Sequence, residues 1–332
     1  MAKPIITIIG LGLTGASMGL ALQREEGNFE VAGHDKLPDV AQVARKMGAV
    51  QRVEWNLYKA IDGAELIVLA VPLNELAELY KLIAEDLRPG TLILTLSSLL
   101  QPVLDLAAQH LPGHTHFVAG HPVLSGVGAA PTPRADLFEQ ATFALAAGLH
   151  TDPAAVQLAS DFAERVGATP LFVDSQEHDG ISAGVEHLPL LMGAALMALS
   201  ARGAGWREAR RLAGRHFAGA TDIGENAEQA FEVLRANRKN LVFRIKQIQQ
   251  ELSEWAALLE AEVEEGQPHP LLDALQEAVQ ARSTWEGQAL IKSWDDAPAP
   301  QPNAEGPGFL RQMFLGSMGR RPDTRRSAQQ KP

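Results

Sequence analysis

The first half of the chain alternates short apolar runs, rich in β-branched residues, with longer segments in which apolar positions recur at helical spacing. The run at Ile5–Ile9 is apolar except for Thr7, as expected of a parallel strand that is buried on both faces. Similar runs predict strands at residues 29–33, 64–70, 91–96, 117–120, 142–146 and 170–173, and helices are predicted at residues 14–24, 39–47 and 73–86. Strands that alternate with helices in this way are typical of an α/β fold with a doubly wound parallel sheet.

The pattern changes near residue 174. Beyond it the sequence has no β-rich run, and apolar residues recur at helical spacing over residues 178–201, 206–216, 227–261 and 271–291. A helix as long as 227–261 cannot bury its whole surface against one neighbour, which favours a homodimer through this half. From Asp295 onward proline and glycine predominate and no periodicity remains, which predicts a disordered tail. We therefore expect an α/β domain at residues 1–174, an all-helical domain at 175–294 and a tail at 295–332.

Composition and charge narrow the function classes. Apolar residues make up 46% of the 332 residues and charged residues 21%, which is ordinary for a globular protein. A net charge of −11 repels phosphate backbones, so we expect no nucleic-acid partner. The absence of cysteine excludes disulfides, thiolate zinc sites and a cysteine nucleophile, and it fits a cytoplasmic protein; we expect no metal site. Residues 4–22 carry no charge, but four glycines interrupt them, so we expect a strand, a glycine turn and a helix rather than a membrane segment.

A glycine-rich turn follows the first strand. The residues are Gly10-Leu11-Gly12-Leu13-Thr14-Gly15, a G-x-G-x-x-G motif that opens the next helix. The first glycine permits the tight turn, the second lets the backbone approach a pyrophosphate, and the third allows the helix to pack closely on the strand. The helix N-terminus offers N–H groups and a positive dipole end to phosphates. The motif in this context predicts a Rossmann-type dinucleotide-binding domain.

The residues after the second and third strands indicate which dinucleotide binds. Asp35 follows the second predicted strand at the position where the fingerprint carries an acid for the adenosine ribose. Its carboxylate would repel a 2′-phosphate, which favours NAD, whereas the adjacent Lys36 keeps NADP possible. Val71-Pro72 closes the third strand, and in such folds this edge lies along the cofactor; Pro72 can equally serve to start the next helix.

Further motifs resemble one enzyme family. They are Thr95 to Ser98 on the turn after a strand, Gly120-His121-Pro122, Asp136-Leu137-Phe138, His178-Asp179 and Glu186-His187-Leu188-Pro189. Together with the glycine turn, they are similar to the prephenate and arogenate dehydrogenases of tyrosine biosynthesis over residues 5–260. The resemblance implies that the ring alcohol of prephenate is oxidised by hydride transfer to NAD and that the ring carboxylate is lost, giving 4-hydroxyphenylpyruvate.

The resemblance also implies roles for three residues. The histidine matching His121 binds the ring hydroxyl and helps to remove its proton, which suits an imidazole because its pKa lies near neutrality. The serine matching Ser98 supports that hydroxyl or the histidine, and the histidine matching His187 lies in the helical domain near the substrate. Seven other histidines are expected to be structural: His110, His114, His116, His150, His178, His216 and His269.

Four positions depart from the family pattern. Thr95 replaces an aspartate, Leu100 replaces a lysine, Leu190 replaces the last histidine of a His-Leu-Pro-His motif, and Asp222 replaces an arginine that binds a substrate carboxylate. An acid in place of a guanidinium repels a carboxylate. Arg134, Arg215 and Arg238 are candidate substitutes, and Asn237 matches an asparagine frequent in the family.

Three functions therefore stay open at this point. The first is a prephenate or arogenate dehydrogenase, the ammonium of arogenate suiting Asp222. The others are a related dehydrogenase for a different substrate and a non-catalytic NAD-binding paralogue.

Overall fold

The computed structural model describes residues 3–24, 27–124, 132–224, 226–264 and 267–291. The predicted tail at 295–332 lies outside them. Within these ranges the chain forms two compact units. The first contains the residues up to Asp179 together with Glu228–Val233, and the second contains Gly180–Ala227 and the residues from Leu234 onward.

The first unit is built on an eight-stranded sheet. Its strands are β1 (Ile5–Ile9), β2 (Glu30–His34), β3 (Arg52–Val53), β4 (Ala64–Leu69), β5 (Leu92–Leu96), β6 (His116–Val123), β7 (Thr142–Ala147) and β8 (Thr169–Phe172). They lie in the order β3-β2-β1-β4-β5-β6-β7-β8, and every neighbouring pair is parallel except β6 and β7. The chain runs outward from β1 in one direction and then returns to add β4 on the other side. The edge beyond the C-terminal ends of β1 and β4 is therefore the place where such sheets bind ligands.

Helices cover both faces of the sheet. They are α1 (Leu13–Leu22), α2 (Pro38–Lys46), α3 (Leu57–Ile61), α4 (Leu73–Ile83, continued by a 3₁₀ turn at Ala84–Asp86), α5 (Gln101–His110) and α6 (Pro153–Arg165). One core layer joins α1, α2 and α6 to the sheet through residues such as Met18, Ala41 and Phe162. The other joins α3, α4 and α5 through residues such as Tyr80 and Val103. The doubly wound α/β prediction is thus confirmed, with one antiparallel pairing that the sequence did not indicate.

The elements after β8 are all helical. They are α7 (Ser175–Ser182), a π-helical turn (Ala183–His187), α8 (Leu188–Arg202), α9 (Trp206–Ala209), α10 (Arg215–Ala220), α11 (Ala227–Ala236), α12 (Arg238–Glu260) and α13 (Pro270–Ile291). In the second unit Gly193 of α8 lies against Ala220 and Ile223, where an added Cβ would come within 2.8 Å of the Ala220 carbonyl oxygen. The helical character predicted for this half is correct.

Several predicted elements differ from the observed ones. The single helix expected at residues 227–261 is two helices, because Asn237 leaves the helical conformation at φ −95° and ψ 18°. The helix expected at 206–216 is two short ones, α9 and α10. The apolar pattern of the sequence did not predict β3, α3, α5 or α6. Strand β3 has two residues, too few to show a periodicity. Helix α6, in contrast, begins at Pro153 after the capping residue Asp152, and this pair is a helix start signal that the sequence does carry.

Candidate active site

The glycine turn joins β1 to α1 at the C-terminal edge of the sheet. Gly10 has φ +88°, a conformation that favours glycine, and its N–H donates to the carbonyl of His34. A Cβ on Gly15 would collide with the carbonyl oxygen of Gly10, so this glycine allows the close packing of helix on strand. A Cβ on Gly12 would meet no atom within 4 Å. The turn thus leaves open space at its second glycine, and the residues present fit a bound pyrophosphate there.

Asp35 is tied to the glycine turn. One carboxylate oxygen accepts the backbone N–H of Leu11 at 2.8 Å and the other accepts that of Leu37, also at 2.8 Å. The adjacent Lys36 forms an ion pair with Glu75 of α4 across 2.5 Å. Pro72 precedes α4 as its capping residue, so it lies just outside the helix rather than in its first turn. Asp35 therefore helps to shape the turn in addition to any contact with a ribose.

His121 lies inside β6 rather than after it, because the strand continues to Val123. It is opposite Ala144 in the antiparallel pair of β6 and β7, and it is 8% exposed. Its Nδ1 is 3.1 Å from Nε2 of His178, and the two imidazole rings are nearly perpendicular, at 88°. Two buried histidines are therefore in direct contact.

His178 connects His121 to a buried carboxylate. Nδ1 of His178 is 3.0 Å from Oδ1 of Asp179, which is 4% exposed. The same carboxylate accepts the backbone N–H of Leu100 at 2.8 Å and that of Gln101 at 3.1 Å. These N–H groups open α5, and a carboxylate is stabilised at such a helix N-terminus.

The hydrogen-bond partners fix the protonation pattern of this chain of residues. A carboxylate can only accept, so His178 donates from Nδ1 and, when neutral, accepts at Nε2. His121 then donates from Nδ1, which leaves its lone pair on Nε2. The arrangement makes Nε2 of His121 the basic nitrogen, and Asp179 stabilises any positive charge that develops on the two imidazoles.

Ser98 lies on the turn between β5 and α5. Strand β5 is the parallel neighbour of β6, and the backbone N–H of Ser97 donates to the carbonyl of Gly120 at 2.9 Å. The side chain of Thr95, three residues before Ser98, points into the core, where its hydroxyl is 2.7 Å from that of Tyr80. Ser98 and His121 are therefore brought to the same edge by adjacent strands.

His187 ends the π-helical turn of the second unit and is 3% exposed. The side-chain amide of Asn237 donates to its Nδ1 at 3.1 Å, and Asn240 donates to the amide oxygen of Asn237 at 2.9 Å. The break between α11 and α12 places Asn237 for this bond. Asp222 lies in the exposed segment after α10, where its carboxylate accepts the N–H of Gly224 at 3.3 Å.

Two family models match the chain. The model described as prephenate dehydrogenase, nucleotide-binding domain, matches residues 18–171, and the model described as prephenate dehydrogenase, dimerization domain, matches residues 174–277. The chain belongs to the prephenate dehydrogenase family. This confirms the resemblance found in the motifs. The glycine turn precedes the matched residues, so its assignment depends on this chain's own sequence and geometry.

Relatives in the prephenate dehydrogenase family agree with this result. The prephenate dehydrogenase of Bacillus subtilis is 30% identical over 200 residues, which are 59% of this chain and 53% of that protein. The structure of prephenate dehydrogenase from A. aeolicus, in complex with hydroxyphenyl propionate and NAD+, has a TM-score of 0.77 at 21% identity and covers 86% of this chain and 99% of that one. Synechocystis arogenate dehydrogenase gives a TM-score of 0.69 at 23% identity, with 85% and 99% covered. The structures confirm the fold, and the chain spans about half the length of the curated relative.

Two residues of the candidate site, His178 and Asp179, were not predicted to be functional. His178 was expected to be structural, yet it lies within hydrogen-bonding distance of both His121 and Asp179. The signal was present, because a histidine next to an aspartate stands in a stretch that carries the resemblance. What the sequence could not indicate is that residues 57 positions apart would meet.

Proposed function

We propose that this protein is an NAD-dependent dehydrogenase that oxidises and decarboxylates prephenate or arogenate to an aromatic product in tyrosine biosynthesis. The observation that carries the proposal is the buried chain from His121 through His178 to Asp179, which begins on strand β6 of the same sheet whose strand β1 leads into the glycine turn. A proton acceptor held at the edge where such sheets bind cofactors is what oxidation of an alcohol requires.

NAD is the proposed cofactor. Gly10, Gly12 and Gly15 would hold the pyrophosphate with the N-terminus of α1, and Asp35 would meet the ribose hydroxyls. Leu11, Leu13, Thr14, Val71 and Pro72 complete the proposed cofactor-binding residues. When bound, the nicotinamide supplies the acceptor for the electron pair that leaves the carbinol carbon.

Side chains of the protein remove the proton of the ring hydroxyl. His121 accepts the proton of the ring hydroxyl at Nε2 as the alcohol is oxidised, and Ser98 orients that hydroxyl or the imidazole. The positive charge that forms on His121 is stabilised through His178 by Asp179. The ring carboxylate then leaves as CO₂, and aromatisation makes the reaction effectively irreversible. We assign His187, held by Asn237, to substrate contact in the helical unit.

Asp222 bears on which of the two substrates the protein prefers. Its exposed carboxylate, at the position of a carboxylate-binding arginine in the family pattern, favours a substrate that carries an ammonium group, as arogenate does. The experiment is a spectrophotometric assay of NADH formation with prephenate and with arogenate, on wild-type protein and on Asp222→Arg. We expect turnover of at least one of the two, with Asp222→Arg raising kcat/KM for prephenate relative to arogenate. Turnover of neither would refute the prephenate or arogenate dehydrogenase function and leave a related dehydrogenase for a different substrate or a non-catalytic paralogue.

We also propose that the protein is a homodimer through its helical half. The helical run Ser175–Arg202 is long and apolar enough to cross a membrane by length and composition, but the family model covering it is described as a dimerization domain. Val185, Met192 and Leu199 recur every seven residues and are 74%, 36% and 73% exposed, so they form a stripe suited to a second copy of the chain.

Light scattering after gel filtration tests the dimer. Leu199→Glu should shift the protein toward monomer, whereas Leu82→Glu, at a 51% exposed leucine of α4, should not. A wild-type protein that is monomeric at micromolar concentration would refute this part.

A further inference from the structure

We infer that Glu75 is a second determinant of cofactor selectivity, because it pairs with Lys36, the cation next to Asp35 that would otherwise attract the 2′-phosphate of NADP. The inference rests on the proposed dinucleotide-binding function, which it extends from the sugar-binding acid to a residue of α4.

The geometry that carries the inference is the ion pair between Lys36 and Glu75. Nζ of Lys36 is 2.5 Å from Oε1 of Glu75, and the two side chains are 66% and 35% exposed. Lys36 follows β2 directly, and Glu75 lies in the first turn of α4, the helix after β4. Strands β2 and β4 flank β1, whose end carries the glycine turn. The pair therefore spans the sheet edge at the point where dinucleotides bind in such folds.

Lys36 and Glu75 have opposite effects on the binding of NADP. A 2′-phosphate adds about two negative charges at neutral pH, and a lysine beside the ribose-binding acid is the type of residue that accepts it. With Glu75 as its partner, Lys36 is already neutralised, and a phosphate would have to displace a carboxylate that remains nearby and repels it. NAD places no such charge there, so the pair disfavours NADP without weakening NAD.

A double-mutant cycle measured as binding tests this inference. The dissociation constants of NAD and NADP are determined by isothermal titration calorimetry for wild type, Glu75→Gln, Lys36→Met and the double variant. The control is Glu78→Gln, which breaks a similar pair with Lys81 farther along α4, at 2.6 Å in the wild type. Because exposed ion pairs are weak, we expect Glu75→Gln to improve NADP binding relative to NAD by about two- to fivefold. Glu78→Gln should leave the ratio unchanged, and Glu75→Gln should have no effect in the Lys36→Met background.

Each other outcome overturns the inference. An unchanged NADP-to-NAD ratio in Glu75→Gln, with NAD bound normally, refutes the role of Glu75 and leaves the proposed function intact. An equal gain in the Lys36→Met background shows a general charge effect and not the release of Lys36. Failure of the wild type to bind either dinucleotide refutes the proposed function and this inference together.

Discussion

Replacing Asp179 with asparagine is the most informative change to the candidate active site. In the wild type one oxygen of Asp179 accepts from His178 and from the N–H of Leu100, and the other accepts from the N–H of Gln101. Asparagine keeps the shape of the side chain but has one oxygen in place of two and no charge. Either its amide faces a backbone N–H of α5, or the bond to His178 is lost.

The expected size of the effect follows from these contacts. A hydrogen bond to a charged group contributes about 1.5–3 kcal/mol, and the charge on Asp179 matters most when the imidazoles become positive in the transition state. At about 1.4 kcal/mol per factor of ten, kcat should fall about 10- to 150-fold. Leaving a buried N–H of α5 opposite an amide should also lower the free energy of unfolding by about 1–3 kcal/mol. The Kd for NAD should not change, because none of these contacts involves the glycine turn.

The assay is NADH formation on the better substrate, with NAD binding and thermal unfolding measured on the same samples. Asp174→Asn is the matched control, because Asp174 lies five residues earlier and caps α7 by accepting the N–H groups of Gln176 and Glu177. Asparagine caps a helix nearly as well, so this variant should keep both kcat and stability. The reasoning is refuted if Asp179→Asn retains wild-type kcat, or if Asp174→Asn loses as much activity as Asp179→Asn.

Three further changes test other parts of the structure. His121→Asn should lower kcat about 10²–10⁴-fold with an unchanged Kd for NAD, and a variant with normal kcat would exclude His121 as the proton acceptor. Asp35→Asn keeps an acceptor for the N–H of Leu11 but removes the charge, so NADP binding should improve about tenfold relative to NAD; an unchanged ratio by calorimetry would contradict this. Burial raises the pKa of Tyr80 above its ordinary 10.0, so its neutral form stabilises the fold below pH 10 and that stability is lost as the pH rises above 10. Denaturant titrations at pH 9 to 11 should show this loss, about 1.4 kcal/mol per pH unit above 10, in wild type but not in Tyr80→Phe.

Much of the first unit could be predicted from the sequence because buried parallel strands are continuous apolar runs. The run at Ile5–Ile9 matches β1, and the glycine turn follows it as expected. Where the signal depends on more than apolar pattern, prediction failed: β6 continues through Gly120-His121-Pro122, a stretch that by itself suggests a turn. Its continuation depends on pairing with β7, which is 19 or more residues away and antiparallel.

The site was only partly predictable for a similar reason. The sequence indicates His121 and His187 as residues of interest, but not their partners, because a hydrogen bond between distant positions leaves no local pattern. Asn237 shows the limit clearly, since helical periodicity runs straight through it and the predicted helix does as well. The observed break at Asn237 brings its side-chain amide to His187. A contact between distant residues has therefore overridden the local preference for a continuous helix.

The departures from the family pattern do not all have the same consequence. Leu100 supplies its backbone N–H to Asp179, and its side chain is fully buried at 0% exposure, so a leucine here leaves the anchoring of His178 unchanged. The hydroxyl of Thr95 is likewise buried in the core, where it is hydrogen-bonded to Tyr80. Asp222 is different, because it is exposed and its carboxylate accepts the N–H of Gly224 rather than packing into the core. The first two changes therefore alter packing beneath the candidate active site while keeping its hydrogen bonds, whereas the third alters the charge offered to a ligand. For this reason we expect this protein to differ from its relatives in substrate selection before it differs in chemistry.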